Sequence, residues 1–196
     1  MDSYSLVMSI DGPLVLAGVI ITWHLTRLVE RSRLGKERLS WLILLGGLIT
    51  AGGFASYLIG LNLALMVILG PAIIAYALSM SGLVGAKLEM LVQIAIMVFS
   101  IAISEDPKTY TILMFSDVSL LLLMDAIAFY PGSPKAPASM ARLSAWLLVA
   151  FTVVNAIHYG SLPALLLYTA SVSLWITALL LSYPKAKLLN SAQEGL

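Results

Sequence analysis

The chain has 196 residues, of which 60% are hydrophobic and only 11% are charged, and its formal net charge is +1. An ordinary water-soluble domain has about 25% charged residues, so this composition excludes a soluble globular fold and predicts an integral membrane protein. The small net charge excludes a nucleic-acid partner, which requires a strongly basic surface. Because there is no cysteine, disulfides, thiolate metal sites and cysteine nucleophiles are also excluded.

The apolar segments predict a single membrane domain over residues 1–196 that spans the bilayer about seven times. A spanning helix needs about 20 predominantly apolar residues. The predicted spans, in chain order, are residues 13–29, 39–59, 62–85, 89–104, 109–130, 139–159 and 163–183. The predicted fold class is therefore an all-α, polytopic helical bundle. Six spans remain an alternative if the short fourth segment is re-entrant or interfacial.

Glycine and proline mark several features of these helices. The long apolar run 39–85 is divided at residues 60–62, Gly-Leu-Asn, where a tight turn forms easily. Gly70 and Pro71 fall inside the third predicted helix and predict a kink there. The Tyr183-Pro184 pair predicts the end of the seventh helix.

The positive charges predict the orientation of the chain. Lys and Arg side chains cross a bilayer poorly and are retained in cytoplasmic loops. Of the eleven Lys and Arg residues, all except Lys108 lie in or beside every second gap between apolar segments, or follow the last segment. We therefore expect a multi-pass protein of the cell membrane with its N-terminus outside and its C-terminus in the cytoplasm.

The loops also indicate a loose internal repeat. Helices one to three and five to seven share a plan in which a longer basic inner loop is followed by a very short outer turn. This 3+1+3 arrangement resembles the topology of SWEET-type sugar transporters. The resemblance covers topology only, because the proline-glutamine signature of that family is absent and the intramembrane prolines do not repeat between the halves. It implies a small, independent solute or proton-coupled transporter.

Asp117 and Asp125 in the fifth predicted span are the sharpest candidates for chemistry. A carboxylate in the hydrocarbon costs several kcal/mol unless it is neutral, paired or hydrated. Eight residues advance a helix by about 12 Å and rotate it by about 80°, so the two acids share a broad face. They fit a proton or cation relay, and packed structural acids are the alternative interpretation.

His24 and Arg27 in the first predicted helix are candidate partners of Asp125, because they should lie at a similar depth. A His24–Asp125 pair would satisfy both groups and titrate near neutral pH. Arg27 competes for the same carboxylate or extends to the interface. A haem held by both histidines is not expected, since His24 and His158 should lie at different depths. The sequence therefore predicts no cofactor and no metal site.

Gly52, Ser56 and Gly60 are candidate helix-packing residues. Their spacing of four places small side chains on one face of the second helix, where another helix can approach closely. Packing within the chain and packing between subunits are both open interpretations of this face.

No motif names a reaction, so we expect no catalytic activity in this chain alone. The expected role is a non-catalytic integral membrane subunit of a larger membrane complex, with a respiratory or electron-transport assembly as the leading example. The expected partners are the lipid bilayer and other membrane subunits. This role is favoured because no extramembrane domain is expected and the intramembrane polar residues are few. The alternative is the independent transporter that the repeat implies.

Overall fold

The computed structural model describes residues 16–24, 26–27, 38–59, 64–81, 87–105, 107–129 and 133–194. Helices and short turns make up these ranges, and no strand occurs in them, so the all-α prediction is confirmed. Helix α1 is described at residues 16–24 and 26–27. The other helices are α2 (Arg38–Leu58), α3 (Ala64–Ser81), α4 (Lys87–Ala102), α5 (Pro107–Ala128), α6 (Lys135–Ile157) and α7 (Leu162–Glu194).

Helices α2 to α6 begin and end within four residues of the predicted segments, and the predicted turn at residues 60–62 lies outside the described residues. Helix α7 differs, because it continues through Pro184 to Glu194. Residues 185–194 consist largely of Lys, Ala, Leu, Gln and Glu, which are strong helix formers. The prediction that the seventh helix ends at Tyr183-Pro184 is therefore wrong.

Helix α5 lies at the centre of the bundle. It packs against α2, α3, α4, α6 and α7, whereas the α2–α3 and α6–α7 pairs form the two most extensive contacts. All side chains from Leu120 to Ile127 are buried, which covers the full circumference of the helix over two turns. The hydroxyls of Thr50 and Ser119 lie 3.2 Å apart and join α2 to α5. The two candidate acids thus lie on the most enclosed helix.

Glycine allows α2 and α3 to approach closely. A Cβ atom added at Gly70 would lie 2.8 Å from the carbonyl oxygen of Gly46, closer than non-bonded atoms tolerate. Such close contact between backbones gains dispersion energy that a larger side chain would prevent. Pro71 follows directly and lies inside α3, as expected. The predicted kink at this proline stays a prediction.

The predicted packing face of α2 is not where α2 approaches another described helix most closely. A Cβ atom added at Gly52 would have no described atom within 4 Å, so Gly52 makes no close helix contact within the described chain. Ser56 is buried, and its hydroxyl donates to the carbonyl of Gly53 in its own helix. Gly60 lies outside the described residues. The close crossing of α2 is formed by Gly46 instead, on another part of the helix.

Two helical segments among the described residues are long and apolar enough to cross a membrane, namely Lys135–Ile157 in α6 and Leu162–Ser182 in α7. Shorter apolar stretches occur at Arg38–Gly53 and Leu69–Met80. A buried helix of a water-soluble protein meets the same criteria of length and composition. A membrane-spanning helix is therefore distinguished from a buried helix of a water-soluble protein by how polar and apolar side chains are distributed over the helix surfaces.

Candidate functional site

Beside a hydrophobic core, the bundle also buries many polar side chains and exposes large apolar ones, and α4 shows this most clearly. Its buried residues are Gln93, Met97 and Ser100. On its opposite side Leu91 is 59% exposed and Phe99 is 68% exposed. A surface helix of a water-soluble protein has the reverse arrangement, with its apolar stripe facing the core. The same pattern recurs on other helices, where large exposed hydrophobic side chains include Leu48, Leu65, Met80, Leu143, Leu166 and Leu180.

Most of the buried hydroxyl groups are satisfied within their own helix. The Thr22 hydroxyl donates to the carbonyl of Gly18 at 2.8 Å, and the Ser182 hydroxyl donates to the carbonyl of Ala178 at 2.8 Å. Such bonds let a hydroxyl lie in an apolar environment without a partner on another helix. Buried polar groups without a hydrogen-bond partner among the described residues include the carboxyl of Asp125, the amide of Gln93, the hydroxyl of Ser144 and the indole nitrogen of Trp175.

One face of α5 carries Tyr110, Asp117 and Asp125, and all three side chains are buried. Asp117 follows Tyr110 by seven residues and precedes Asp125 by eight, so all three lie within about 100° around the helix axis. The contacts of Tyr110 and the charges around Asp125 show that this face is directed toward α4 and α6. The predicted common face of the two acids is thus present.

At one end of this face lies a group of side chains, the Arg142 cluster, which consists of Glu89, Asp125, Phe129, Arg142 and Trp146. The Nε atom of Arg142 lies 3.5 Å from Oε1 of Glu89. The indole nitrogen of Trp146 donates to the same Oε1 at 3.0 Å. The guanidinium of Arg142 also stacks on the Phe129 ring, with 4.9 Å from Cζ to the ring centroid. This cluster joins the start of α4 to the end of α5 and to α6.

Asp125 is the fully buried member of the Arg142 cluster, with 0% of its side chain exposed. Neither carboxyl oxygen has a hydrogen-bond partner among the described residues. The charges that act on it come from Glu89 and Arg142. Gln93 lies one helical turn after Glu89 and, like Asp125, is 0% exposed. Neither its amide oxygen nor its amide nitrogen has a hydrogen-bond partner among the described residues. Two orphaned polar side chains are therefore buried near the same end of the bundle.

The other end of the face contains the Tyr110 cluster, formed by Ser100, Tyr110 and Thr152. The hydroxyl of Tyr110 donates a 2.7 Å hydrogen bond to the carbonyl oxygen of Thr152. The side chain of Ser100 interacts with the same phenol, and the charge of Asp117 acts on it. Asp117 thus lies between the two clusters along α5. Polar groups from α4, α5 and α6 follow one another from end to end of this interface.

The predicted partners of Asp125 on α1 do not bond to it, because the carboxyl oxygens of Asp125 make no hydrogen bond with His24 or Arg27. The guanidinium of Arg27 lies 5.8 Å from the ring centroid of Trp23, and the rings of Trp23 and His24 are 6.0 Å apart. The Trp23 ring also packs at 5.2 Å against Trp41 of α2. Of these contacts, only the Trp23–Trp41 contact joins α1 to α2. No hydrogen bond of the predicted pair is present, and a contact of Asp125 with His24 or Arg27 stays a prediction.

Sequence reasoning identified the two acids but missed Glu89, Arg142 and Tyr110 as their neighbours. Glu89 and Arg142 lie near the ends of the predicted spans 89–104 and 139–159, where charged residues are expected at the membrane interface. A usable signal was present in α4, because Glu89, Gln93 and Ser100 share one face of an otherwise apolar helix. That face predicts a polar side directed into the bundle.

Within the described residues, no group of three or more His, Cys, Asp or Glu side chains is placed to hold a metal ion. The chemistry that the site offers is the exchange of a proton or the electrostatic binding of a small cation by buried carboxyl groups. Comparison of the chain with protein-family models, curated proteins and solved structures finds no match.

Proposed function

We propose that the chain is a multi-pass membrane protein that crosses the bilayer seven times and serves as a non-catalytic helical subunit of a larger membrane complex. The membrane location is supported mainly by the inverted polarity of α4, which buries Gln93 and Ser100 and exposes Leu91 and Phe99. Hydrocarbon solvates exposed Leu and Phe without cost, whereas water does not. Buried polar groups then find their partners between helices.

The fourth proposed span is the shortest of helices α2 to α7. Helix α4 has 16 residues and is about 24 Å long, somewhat less than the hydrocarbon thickness of about 30 Å. Short spans are accommodated by local thinning of the bilayer at modest cost. An interfacial helix would expose its polar side to water, but the polar side of α4 faces α5 and α6. This supports spanning over the interfacial alternative.

The subunit role is supported by the size of the exposed side chains. Trp41 and Tyr76 are each more than half exposed, and they lie on two different helices, α2 and α3. Large aromatic side chains are enriched where protein surfaces meet. Gly52 adds an open position on α2 at which another helix can approach. The expected partners are apolar helices of other membrane subunits, with a respiratory or electron-transport assembly as the leading case.

Cysteine accessibility tests the topology, because the chain contains no cysteine of its own. Single cysteines replace Lys87, Glu105 and Lys135, which are exposed residues at the start of α4, between α4 and α5, and at the start of α6. A membrane-impermeant maleimide added to intact cells should label only the Glu105→Cys variant. The other two should react only after the membrane is permeabilised. Labelling of Lys87→Cys together with Glu105→Cys would show that α4 does not span.

Gentle purification tests the subunit role. The tagged chain is extracted in a mild detergent, and the species that elutes is analysed by native mass spectrometry. We expect other membrane proteins in fixed stoichiometry with the chain. A homomer that contains no other polypeptide would contradict this role.

A second candidate, the proton-coupled transporter, is favoured by the polar interface along α5. Asp117 and Asp125 are both buried there, and polar clusters lie at either end. Buried acids of this kind mark proton and ion pathways in membrane proteins. The purified chain in liposomes should then move protons, measured with an entrapped pH-sensitive dye. Asp117→Asn should abolish this movement, whereas Glu105→Gln should not.

A further inference from the structure

We propose that Asp125 is a proton-binding site, and that Arg142 exchanges its carboxylate partner from Glu89 to Asp125 when the proton is released. The reaction is the dissociation of the Asp125 carboxyl group into a carboxylate and a proton, which leaves toward the Glu89 side of the cluster. This inference goes beyond the proposed function and does not depend on the number of spans.

The charge balance of the Arg142 cluster is the first argument. Arg142 is one cation near two carboxyl groups, and it contacts only Glu89 directly, at 3.5 Å. A single guanidinium does not neutralise two carboxylates when one of them, Asp125, is fully buried. A proton on Asp125 restores neutrality without a further ion. The observed arrangement, in which Arg142 lies beside Glu89, corresponds to this protonated state.

The burial of Asp125 is the second argument. Its side chain is completely buried, and both of its oxygens lack a hydrogen bond among the described residues. An ionised carboxylate in such a place would leave several strong acceptor sites unsatisfied. Gln93, one turn from Glu89, is also buried and carries two unpaired donor hydrogens. Its amide is suited to stabilise the carboxylate after the proton has left.

The position of Arg142 permits the exchange of partners. Arg142 is half exposed and is held by Glu89 and by the ring of Phe129, which immediately follows α5. The backbone N–H of Phe129 donates to the carbonyl of Asp125 at 2.9 Å, so this ring and Asp125 belong to the same helical turn. A change of side-chain rotamer, without movement of the backbone, would bring the guanidinium from one acid toward the other.

The surroundings of Asp125 contain few other charges. Of the helices packed against α5, α4 carries Lys87 and Glu89, and α6 carries Lys135 and Arg142. The charges that act on Asp125 are those of Glu89 and Arg142. Helix α3 has no Asp, Glu, Lys, Arg or His, and neither has the segment Leu162–Ser182 of α7. Helix α2 has Arg38 at its exposed first residue. The remaining acid on α5 is Asp117, about 12 Å away along the helix axis. The titration of Asp125 is therefore governed by its burial and by the charges of Glu89 and Arg142.

Infrared difference spectroscopy of the purified protein tests the proposal, because a protonated carboxyl has a C=O stretching band that the carboxylate lacks. The spectrum is recorded while the pH is raised across the stable range of the protein. We expect a band that is lost with rising pH, that is absent in Asp125→Asn, and that persists in Asp117→Asn. Spectra of the wild type and of folded Asp125→Asn that are identical at every pH would overturn the proposal.

Two neighbouring variants keep Asp125 and should displace its titration in opposite directions. Arg142→Gln removes the cation that favours the carboxylate, so the midpoint of the band loss should rise by about one pH unit. Glu89→Gln removes a repelling carboxylate and frees Arg142, so the midpoint should fall by about one pH unit. Arg142→Lys should restore most of the wild-type midpoint, and Glu105→Gln, at an exposed site between α4 and α5, should leave it unchanged.

Displacement of both midpoints in the same direction, or no displacement, would overturn the exchange of partners. This test reads protonation alone, whereas cysteine accessibility reads the number of spans. Failure of one proposal is therefore distinguishable from failure of the other. Because both neighbouring variants retain Asp125, the test stands even where Asp125→Asn does not fold.

Discussion

The phenol hydroxyl of Tyr110 donates a 2.7 Å hydrogen bond to the backbone carbonyl of Thr152. This bond connects the first turn of α5 to the last two turns of α6, at the end of the bundle opposite Arg142. Both residues are buried. The carbonyl therefore gains its second partner from another helix rather than from solvent.

Removing this bond should destabilise the fold modestly. Tyr110→Phe keeps the ring and deletes the donor, so the free energy of unfolding should fall by about 1 kcal/mol. Tyr76→Phe is the matched control, because the Tyr76 side chain is 58% exposed. Denaturant titration in detergent micelles measures both. Equal stability of the two variants would show that the Tyr110 bond has no net value.

The glycine contacts predict opposite effects for one substitution at two sites. Gly70→Ala places a methyl group 2.8 Å from the Gly46 carbonyl and against Thr50, so it should destabilise the α2–α3 contact by about 1–3 kcal/mol. Gly52→Ala meets no described atom within 4 Å and gains helix propensity, so stability should be unchanged or rise by up to about 1 kcal/mol.

Thermal unfolding of these two variants in the same detergent provides the comparison. A loss of stability in Gly52→Ala would indicate that Gly52 is packed against a second copy or a partner that the single chain does not show. The unchanged helical content of both variants, measured by circular dichroism, serves as the control.

The hydrogen bond from Trp146 to Glu89 should couple α4 to α6. In a double-mutant cycle of Trp146→Phe and Glu89→Ala, we expect a coupling energy of about 0.5–1.5 kcal/mol. The bond is 3.0 Å long but exposed, which places the expected value toward the lower end. If the stability changes of the two single variants simply add in the double variant, this bond does not couple α4 to α6.

The exposed face of α4 should respond to polarity as a lipid-facing surface does. Phe99→Asp places a carboxylate on the outward side, and its apparent cost of membrane insertion should be about 2.5–3.5 kcal/mol. Phe99→Leu should insert like the wild type. A glycosylation-based insertion assay of the α4 segment measures the inserted fraction. Normal insertion of Phe99→Asp would contradict a lipid-facing position for this residue.

The sequence by itself determined the all-helical class, the approximate bounds of α2 to α6, and the presence of two acids on one face of α5. These properties are local, because the hydropathy, length and helical periodicity of a segment depend only on the residues of that segment. The continuation of α7 to Glu194 was missed, since Pro184 looked like a stop while the helix-forming residues after it outweighed that signal.

Only the tertiary structure decided which polar groups meet. The pairing of Asp125 with His24 or Arg27 assumed that equal depth brings side chains together, but depth does not fix how each helix is rotated about its axis. The rotations of α4, α5 and α6 bring Glu89 and Arg142 together and place them where their charges act on Asp125. Those rotations follow from close packing, which depends on side-chain shapes from distant parts of the chain.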